Sequence, residues 1–350
     1  MNASRHLLAS TARRAHHLRG RRAASSIRLA ETGSGKDSGD DDLHSPLSDH
    51  ASLASHVTVR RNAAADRRGH RGERIIGFSG ASWDLGWSRL FGGQVVAQAL
   101  SAAQCTVDAD RPVHSFQSYF IRPGSIQDVE YEVSVVRDGG SFSTRQVAAL
   151  QNGSVIFTLT ASFHAHEDGF AHQKIDPIDA PDPIDCKTRE EYVEEIAHLL
   201  PVSARKKFTS KGHILLRPTE PFRPFSRDAA EPAQQCWIKA RDVADDIEHG
   251  PGVHARLLSY ASDFFLLPTC LLPFGKSVWM PKEVQAASLS HAIHFHDPSF
   301  RMDGDYLLYR MTSPLAGSGR GLCHGQVIAR DGTLVASVYQ EGLVRRLSHK

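Results

Sequence analysis

A single carboxylate stands in the most apolar stretch of this chain. Residues 257–272 read Leu-Leu-Ser-Tyr-Ala-Ser-Asp-Phe-Phe-Leu-Leu-Pro-Thr-Cys-Leu-Leu, and Asp263 is the one residue among them that is charged at neutral pH. Burying an unpaired carboxylate is costly, so Asp263 must reach water, be neutralised by polar partners or take part in a reaction. A lone Asp is also a common helix cap, and the stretch by itself leaves both interpretations open.

A reaction at Asp263 needs further polar groups, which must come from elsewhere in the chain. Two predicted strands offer them: Ser288 stands in Ala-Ser-Leu-Ser-His, and Gln340 stands in Ser-Val-Tyr-Gln-Glu-Gly. A carboxylate, a hydroxyl and an amide can hold a water molecule between them, and the carboxylate can accept its proton. Taken singly, Ser288 and Gln340 are ordinary strand residues, so their meeting with Asp263 depends on the fold.

The first half of the ordered chain predicts one helix followed by an antiparallel sheet. Residues 91–103 begin with Phe-Gly-Gly and continue with small and apolar residues, which is typical of a helix buried against a close neighbour. Asn152-Gly153 is a strong hairpin signal. The predicted strands of this half are residues 114–123, 129–135, 143–150 and 154–163.

The second half repeats this order. Residues 235–240 open a second set of strands, and residues 330–333 form a hairpin turn where the first half has Asn152-Gly153. Two later strands, residues 287–298 and 306–312, follow the helix that carries Asp263, and residues 334–344 form the last strand. The alignment places Phe120 on Phe295 and Pro123 on Pro298. An internal duplication of about 95 residues per unit is the most economical explanation.

Several motifs in order resemble one family. They lie at residues 84–99 (Asp-Leu-Gly-Trp-Ser-Arg-Leu-Phe-Gly-Gly-Gln-Val-Val-Ala-Gln-Ala), 113–124 (Val-His-Ser-Phe-Gln-Ser-Tyr-Phe-Ile-Arg-Pro-Gly), 137–145 (Arg-Asp-Gly-Gly-Ser-Phe-Ser-Thr-Arg) and 338–345 (Val-Tyr-Gln-Glu-Gly-Leu-Val-Arg). This pattern is similar to the type II acyl-CoA thioesterases, from about Gly77 to Arg345. The resemblance implies an α+β, double hot-dog fold, in which each repeat wraps an antiparallel sheet around a central helix.

The same resemblance implies a domain plan and an activity. The predicted first hot-dog domain spans residues 73–166, a connector with a short helix spans residues 167–233, and the second hot-dog domain spans residues 234–347. The family hydrolyses fatty acyl-CoA with an Asp, a Thr or Ser, and a Gln from the second repeat, which correspond here to Asp263, Ser288 and Gln340. One departure is Ser290, where the family commonly has Asp.

A direct attack by water fits these three residue types. Asp263 would accept the proton of the attacking water, and backbone N–H groups at a helix N-terminus would stabilise the negative charge on the carbonyl oxygen. A thiol leaves readily as thiolate, so no strong general acid is needed. The chain contains no Gly-x-Ser-x-Gly elbow of an α/β-hydrolase.

No cofactor or metal is expected. The five cysteines are scattered without a Cys-x-x-Cys pair and are interpreted as reduced thiols. The remaining metal candidate is a loose cluster formed by His164, His166 and Glu167 at a predicted strand end, and we expect it to be an ordinary surface feature.

Charge is concentrated at the N-terminus. The net charge of the whole chain is only +2, but no acid precedes Glu31. We therefore predict no nucleic-acid partner, and no apolar run is long enough to span a membrane. Residues 1–72 are predicted to be a disordered, basic targeting segment for mitochondria, with peroxisomal or cytoplasmic location as alternatives. Seven arginines occupy the first 30 residues: Arg5, Arg13, Arg14, Arg19, Arg21, Arg22 and Arg28.

Two alternative functions remain open. One is a hot-dog hydratase or dehydratase acting on acyl-CoA with His291 as the base, and the other is a noncatalytic acyl-CoA-binding module. Acyl-CoA is the expected small-molecule partner, and a homo-oligomer is expected because paired hot-dog sheets leave apolar faces. Arg145 and Arg320 are candidates for contacting the CoA phosphates on grounds of charge alone.

Overall fold

The computed structural model describes residues 52–70, 72–85, 89–200, 212–241, 243 and 252–347. Its α-helices are α1 (Leu53–His56), α2 (Gly92–Gln104), α3 (Arg189–Glu195) and α4 (Val253–Ala261), and a 3₁₀ segment follows α4 at Leu267–Phe274. The strands are β1 (Arg60–Arg61), β2 (Arg67–Arg68), β3 (Arg74–Gly80), β4 (Val113–Phe120), β5 (Val129–Asp138), β6 (Phe142–Gln151), β7 (Ser154–His164), β8 (Ile214–Pro218), β9 (Ala233–Ala240), β10 (Val284–Phe295), β11 (Leu307–Gly317), β12 (Arg320–Ala329) and β13 (Leu334–Arg346).

Within the described residues, these strands join in one antiparallel sheet. Its order is β1-β3-β5-β6-β7-β4-β10-β13-β12-β11-β9-β8, with β2 paired beside β3. The five strands β3-β5-β6-β7-β4 of the first half are mirrored by β9-β11-β12-β13-β10 of the second. The predicted duplication is therefore visible in the topology.

The two halves meet where β4 pairs with β10. Gln117 lies opposite Ala292, Tyr119 lies opposite Ser290, and Ser115 lies opposite His294. The sequence alignment that placed Phe120 on Phe295 also places Gln117 on Ala292, so the pairing is symmetric about this point. The register between β4 and β10 thus agrees with the 175-residue offset that aligns Phe120 with Phe295.

Helices α2 and α4 pack side by side with opposite directions. Gln104, at the end of α2, donates from Nε2 to the carbonyl of Gly252, just before α4, at 3.2 Å. At the other end, a Cβ added to Gly93 would lie 2.5 Å from the carbonyl oxygen of Tyr260. The C-terminal end of α4 therefore lies against the N-terminal end of α2, and only a residue without a side chain permits this approach.

Two buried amides fix α2 on the first half of the sheet. Gln94 donates to the carbonyl of Ala81 at 2.8 Å, and Gln98 donates to the same carbonyl at 2.9 Å. Gln98 also accepts a hydrogen bond from the hydroxyl of Tyr131 at 2.8 Å. Because buried amides are costly to leave unpaired, these contacts specify where the helix starts relative to the sheet.

The prediction that residues 1–72 are disordered is wrong for the part that the structure describes. Helix α1 and strands β1 and β2 lie between residues 53 and 68, while residues 1–51 lie outside the described residues. Leu53, Ala54 and Val57 are fully buried in the main core. This short apolar set could not fold alone, but it is ordered because it inserts into a core that the repeats already form.

The connector is only partly as predicted. Thr188 accepts from the N–H of Glu191, whose carboxylate accepts from the N–H of Thr188, so the predicted capping box at α3 is confirmed. The sequence reading missed β8, which pairs with β9 at the sheet edge. The strand is only five residues long, and the Arg-Pro step at its end and the Glu-Pro step after it are typical of a connector, so its apolar residues were not recognised as a strand.

The predicted hairpins are confirmed. Asn152 and Gly153 have φ angles of 49° and 70°, as a two-residue type I′ turn requires.

The five cysteines are free thiols, as predicted. Of the helices that the structure describes, none is long and apolar enough to cross a bilayer.

Candidate active site

Asp263 lies in a break between two helical segments. Helix α4 ends at Ala261, Ser262 caps it, and the 3₁₀ segment begins at Leu267. Pro268 has no N–H for a helical hydrogen bond, and its ring excludes the carbonyl one turn earlier, so an α-helix cannot run through this point. The sequence predicted a helix followed by a strand, and the interruption that presents Asp263 was not foreseen.

Two strands of the second repeat supply the partners of Asp263. Nε2 of Gln340, on β13, donates to Oδ1 of Asp263 at 2.6 Å and to Oγ of Ser288, on β10, at 3.0 Å. Gln340 is 1% exposed, which leaves its amide no access to solvent. The structure therefore brings the three predicted site residues into one hydrogen-bonded cluster.

A β-bulge explains how Ser288 faces Gln340. Ser288 lies opposite Gly342, while Ser290 lies opposite Glu341 and His291 lies opposite Gln340. The register shift between Ser288 and Ser290 leaves one extra residue on β10, so Ser288 and His291 point to the same face although they are three apart. The matching shift on β4 lies between Val113 and Ser115.

The first repeat also reaches this cluster. The backbone N–H of Gly93 donates a hydrogen bond to Asp263. A Cβ added to Gly92 would lie 2.7 Å from Oδ2 of Asp263. The positive end of the α2 dipole thus points at the carboxylate of the other repeat.

Burial and hydrogen bonding act on Asp263 in opposite directions. Burial raises its pKa from 3.8 to about 6, and hydrogen bonds from Gln340, Gly93 and Ser288 limit the rise by stabilising the carboxylate. Asp263 is half-buried, with one side open to a cavity. A carboxyl group with a pKa near 6 is largely ionised at neutral pH and holds a proton more readily than an ordinary Asp.

A cavity of about 630 Å³ opens beside Asp263 and Ser288. Its walls near the cluster are apolar and aromatic, and Phe222 meets Phe265 and Trp279 edge to face at ring distances of 5.7 and 5.8 Å. The cluster therefore borders a mainly apolar space that opens to solvent and is large enough for a small organic ligand.

His291 is held in a structural role. Its Nε2 lies 2.8 Å from Oγ of Ser262, whose hydroxyl donates to the carbonyl of Ser259 at 2.9 Å, so Nε2 must carry the proton that Ser262 accepts. The side chain is fully buried, and burial lowers its pKa to about 3. His291 does not line the cavity described above. The alternative in which His291 acts as the base of a hydratase therefore lacks a base that substrate can reach.

The two arginines proposed for the CoA phosphates lie elsewhere. Arg145 is 2% exposed and donates to Thr106 and to the carboxylate of Asp138 at 2.8 Å, so it is a buried structural cation of the first repeat. Arg320 lies on the surface in an ion pair with Glu341 at 2.9 Å. Neither side chain lines the cavity beside Asp263.

The remaining predicted positions are peripheral. Ser290 accepts from the N–H of Glu341 at 3.4 Å and faces away from Asp263. His164 and Glu167 form an exposed pair at 3.2 Å, and His166 is itself exposed. Among the described residues, no group of three or more His, Cys, Asp or Glu side chains is arranged to hold a metal ion.

Comparison with known families agrees with this geometry. The acyl-CoA thioesterase N-terminal domain matches residues 80–164, and the acyl-CoA thioesterase C-terminal domain matches residues 185–344. These two matches cover more than half of the chain. The chain belongs to the acyl-CoA thioesterase family.

Relatives of this thioesterase match along most of their length. Acyl-CoA thioesterase 2 of Haemophilus influenzae is 37% identical over 271 residues, which are 77% of this chain and 92% of that protein. The crystal structure of acyl-CoA thioesterase II TesB2 from Mycobacterium marinum is 32% identical, with a TM-score of 0.64 over 85% of this chain and 99% of that one.

The double hot-dog fold of the thioesterase is confirmed. A hot dog fold protein from Alicyclobacillus acidocaldarius superposes with a TM-score of 0.61 at 18% identity, over 81% of this chain and 96% of that one. At that identity the likeness shows the fold alone. Two family domains on one continuous antiparallel sheet give the double arrangement.

Sequence reasoning missed the contribution of the first repeat to this site. It assigned all polar partners of Asp263 to the second repeat, yet Gly92 and Gly93 lie directly against the carboxylate. The Phe-Gly-Gly at the start of the predicted helix was a usable signal, because paired glycines at a helix entrance indicate close approach of another group.

Proposed function

We propose that this thioesterase hydrolyses fatty acyl-CoA with a water molecule activated by Asp263, Ser288 and Gln340. One observation supports the proposal most strongly: a single amide, Nε2 of Gln340, bonds both the Asp263 carboxylate and the Ser288 hydroxyl at the edge of an apolar cavity. In this arrangement the Asp263 carboxylate supplies the base, and the buried amide holds the carboxylate and the Ser288 hydroxyl in place beside the water.

In the proposed reaction, Asp263 accepts a proton as the water oxygen bonds to the thioester carbonyl carbon. The electron pair of the C=O bond moves to its oxygen, where the positive end of the α2 dipole stabilises the charge. Collapse of this intermediate breaks the C–S bond. The thiolate leaves with the electron pair and takes the proton from Asp263, because a thiol pKa near 8.5 exceeds the pKa of about 6 at Asp263.

The cavity supports a fatty acyl chain as the part of the substrate held beside the cluster. Its apolar wall includes Leu267, Leu272 and Val278 as well as the aromatic residues named above. Burial of each methylene contributes about 0.8 kcal/mol, so chain length would govern affinity until the cavity is full.

The decisive test of this function is thiol release from a series of acyl-CoA substrates. We expect wild type to release CoA thiol and Asp263→Asn to lose roughly 100-fold or more in kcat, since a general base contributes 10²–10⁴-fold. Asp168→Asn, a change at a fully exposed Asp, is the matched control and should keep wild-type rates. Wild-type kcat in folded Asp263→Asn would remove Asp263 from the mechanism.

Targeting and assembly are separate proposals. The Arg-rich residues 1–30 support mitochondrial import, which a fluorescent fusion of that segment would test. Exposed apolar side chains on the sheet, such as Tyr119 at 60% and Leu315 at 65%, support a homo-oligomer. Light scattering of the purified chain would decide the latter, and a monomeric mass would refute it.

A further inference from the structure

The backbone just after Asp263 adopts an unfavourable conformation. Phe265 has φ = 63°, in the left-handed region that a residue with a side chain rarely enters. This conformation is strained for a residue with a side chain and persists only where surrounding contacts require it. Since Phe265 is two residues from Asp263, the turn determines where the carboxylate is presented.

Gln234, on β9, holds this turn. Its Nε2 donates to the carbonyl of Phe265 at 2.9 Å and to Oγ1 of Thr269 at 2.8 Å. Thr269 in turn donates to the same carbonyl of Phe265 at 3.1 Å. Both amide hydrogens of Gln234 are used, and the three groups close a ring of hydrogen bonds around one carbonyl oxygen.

The residue before Asp263 is fixed by a second, separate set of hydrogen bonds. Ser262 accepts from His291 on its hydroxyl at 2.8 Å and from the Tyr309 hydroxyl on its carbonyl at 3.0 Å. Asp263 therefore lies between two backbone points that are both tied to the sheet. On the C-terminal side of Asp263, the hydrogen bonds are those that Gln234 and Thr269 donate to the carbonyl of Phe265.

We propose that Gln234 is a positioning residue for Asp263, acting through the left-handed turn at Phe265; this inference rests on the function proposed above. Without the two amide donors, Phe265 can relax to a negative φ. The rotation would move the carboxylate away from Gln340 and Gly93, which donate hydrogen bonds to it. Placement errors of about 1 Å can cost about 100-fold in rate.

The test separates positioning from a general loss of stability. Gln234→Leu has nearly the same volume and no donors, and we expect kcat for thiol release to fall by roughly 10- to 100-fold with little change in KM. The acid limb of the pH–rate profile should move to higher pH, because the carboxylate loses hydrogen bonds that favour its ionised form. Gln173→Leu is the control, since Gln173 donates to the carbonyl of Gly332 at 2.7 Å far from the cavity.

A double-mutant cycle with Phe265→Gly provides the sharpest readout. Glycine adopts positive φ without strain, so the turn should persist there without its hydrogen bonds. We expect Gln234→Leu to lower kcat by less than about 3-fold in the F265G background. An equal loss in both backgrounds, or wild-type kcat and pH profile in folded Gln234→Leu, would overturn the proposal.

Two further variants cover the case in which Gln234→Leu does not fold. Thr269→Val removes the hydroxyl that bonds Phe265, whereas Thr269→Ser keeps it. We expect the first to lower kcat and the second to retain it, and the opposite order would also refute the proposal. Asp263→Asn is measured alongside: if it retains activity, the proposed function fails, whereas loss in Asp263→Asn with no effect at Gln234 or Thr269 rejects only the positioning role.

Discussion

Gly92 lies so close to Asp263 that a Cβ on the glycine would be 2.7 Å from Oδ2 of the carboxylate. The two residues belong to different repeats and are separated by most of the ordered chain. The start of α2 therefore forms one wall of the cluster that Asp263, Ser288 and Gln340 complete.

Gly92→Ala is expected to inactivate the enzyme while leaving it folded. The added methyl group must displace the Asp263 carboxylate or the Phe120 ring, which lies 3.0 Å from the same point. We expect a fall of roughly 100-fold in kcat for thiol release, with a smaller change in the unfolding midpoint. Gly140→Ala is the control, because nothing lies within 4 Å of a Cβ there. Full activity in Gly92→Ala would show that the carboxylate tolerates displacement.

The pH dependence of kcat/KM should follow the ionisation of Asp263. Burial raises its pKa to about 6, and the base must be ionised to accept a proton from water. Activity is therefore expected to rise with pH through about 6 and to level off above about 7. Initial rates between pH 4.5 and 8 would check this, and an acid limb near pH 4 would show that the carboxylate is not perturbed in the working enzyme.

Asp263→Asn should gain stability relative to wild type as pH rises. The folded-state pKa of about 6 exceeds the unfolded value of about 3.9, so the folded state binds more protons between these values. Stability therefore falls as pH rises through this window, by about 3 kcal/mol for two pKa units. Asparagine does not titrate, so the free energy of unfolding of the variant should increase relative to that of wild type by about 3 kcal/mol between pH 4 and pH 7.5. Urea unfolding at both pH values measures the difference, and a constant difference would contradict the assigned shift.

Gln340→Glu should shift the acid limb upward. The change replaces an N–H donor with a second carboxyl group at the 2.6 Å contact, and two close carboxylates cannot both ionise readily. We expect a loss of roughly 100-fold in kcat at pH 7 with partial recovery at higher pH. Gln117→Glu, on the exposed face of β4, serves as the control. An unchanged pH dependence in Gln340→Glu would show that the side chain at position 340 does not influence the ionisation of Asp263.

Ser288 should tolerate threonine and not alanine. Its hydroxyl accepts from Gln340 at 3.0 Å, and threonine retains that oxygen. Loss of one such hydrogen bond costs about 1–1.5 kcal/mol, which corresponds to about tenfold in rate. Thiol-release kinetics of Ser288→Ala and Ser288→Thr would check the order, and equal rates in both would argue that the hydroxyl is not used.

Local sequence patterns predicted much of the fold, because they depend on the geometry of residues that are neighbours in the chain. The alternation in β5, the Asn152-Gly153 turn and the capping box at Thr188 each depend on neighbours in sequence, and all three are confirmed. The offset between Phe120 and Phe295 also agrees with the symmetric register of β4 on β10, although the sequence did not predict that these strands pair.

What the sequence could not show were contacts between distant segments. Arg145 looked like any surface cation, but its environment is set by Thr106 and Asp138. The bulge that turns Ser288 toward Gln340 depends on the register of β13 and has no local signal. The burial of Leu53 and Val57 likewise depends on a core built by other parts of the chain.

The opposite ends of the paired helices differ, although the sheet around them is symmetric. One end places Asp263 against Gly92 and Gly93, whereas the other places Gln104 between Gly252 and Arg256, with Nη1 of Arg256 donating to Gln104 at 3.1 Å. A symmetric dimer of single repeats would carry identical groups at both ends. Fusion into one polypeptide releases the halves from that identity, so one end can evolve toward reactivity while the other is free to maximise packing.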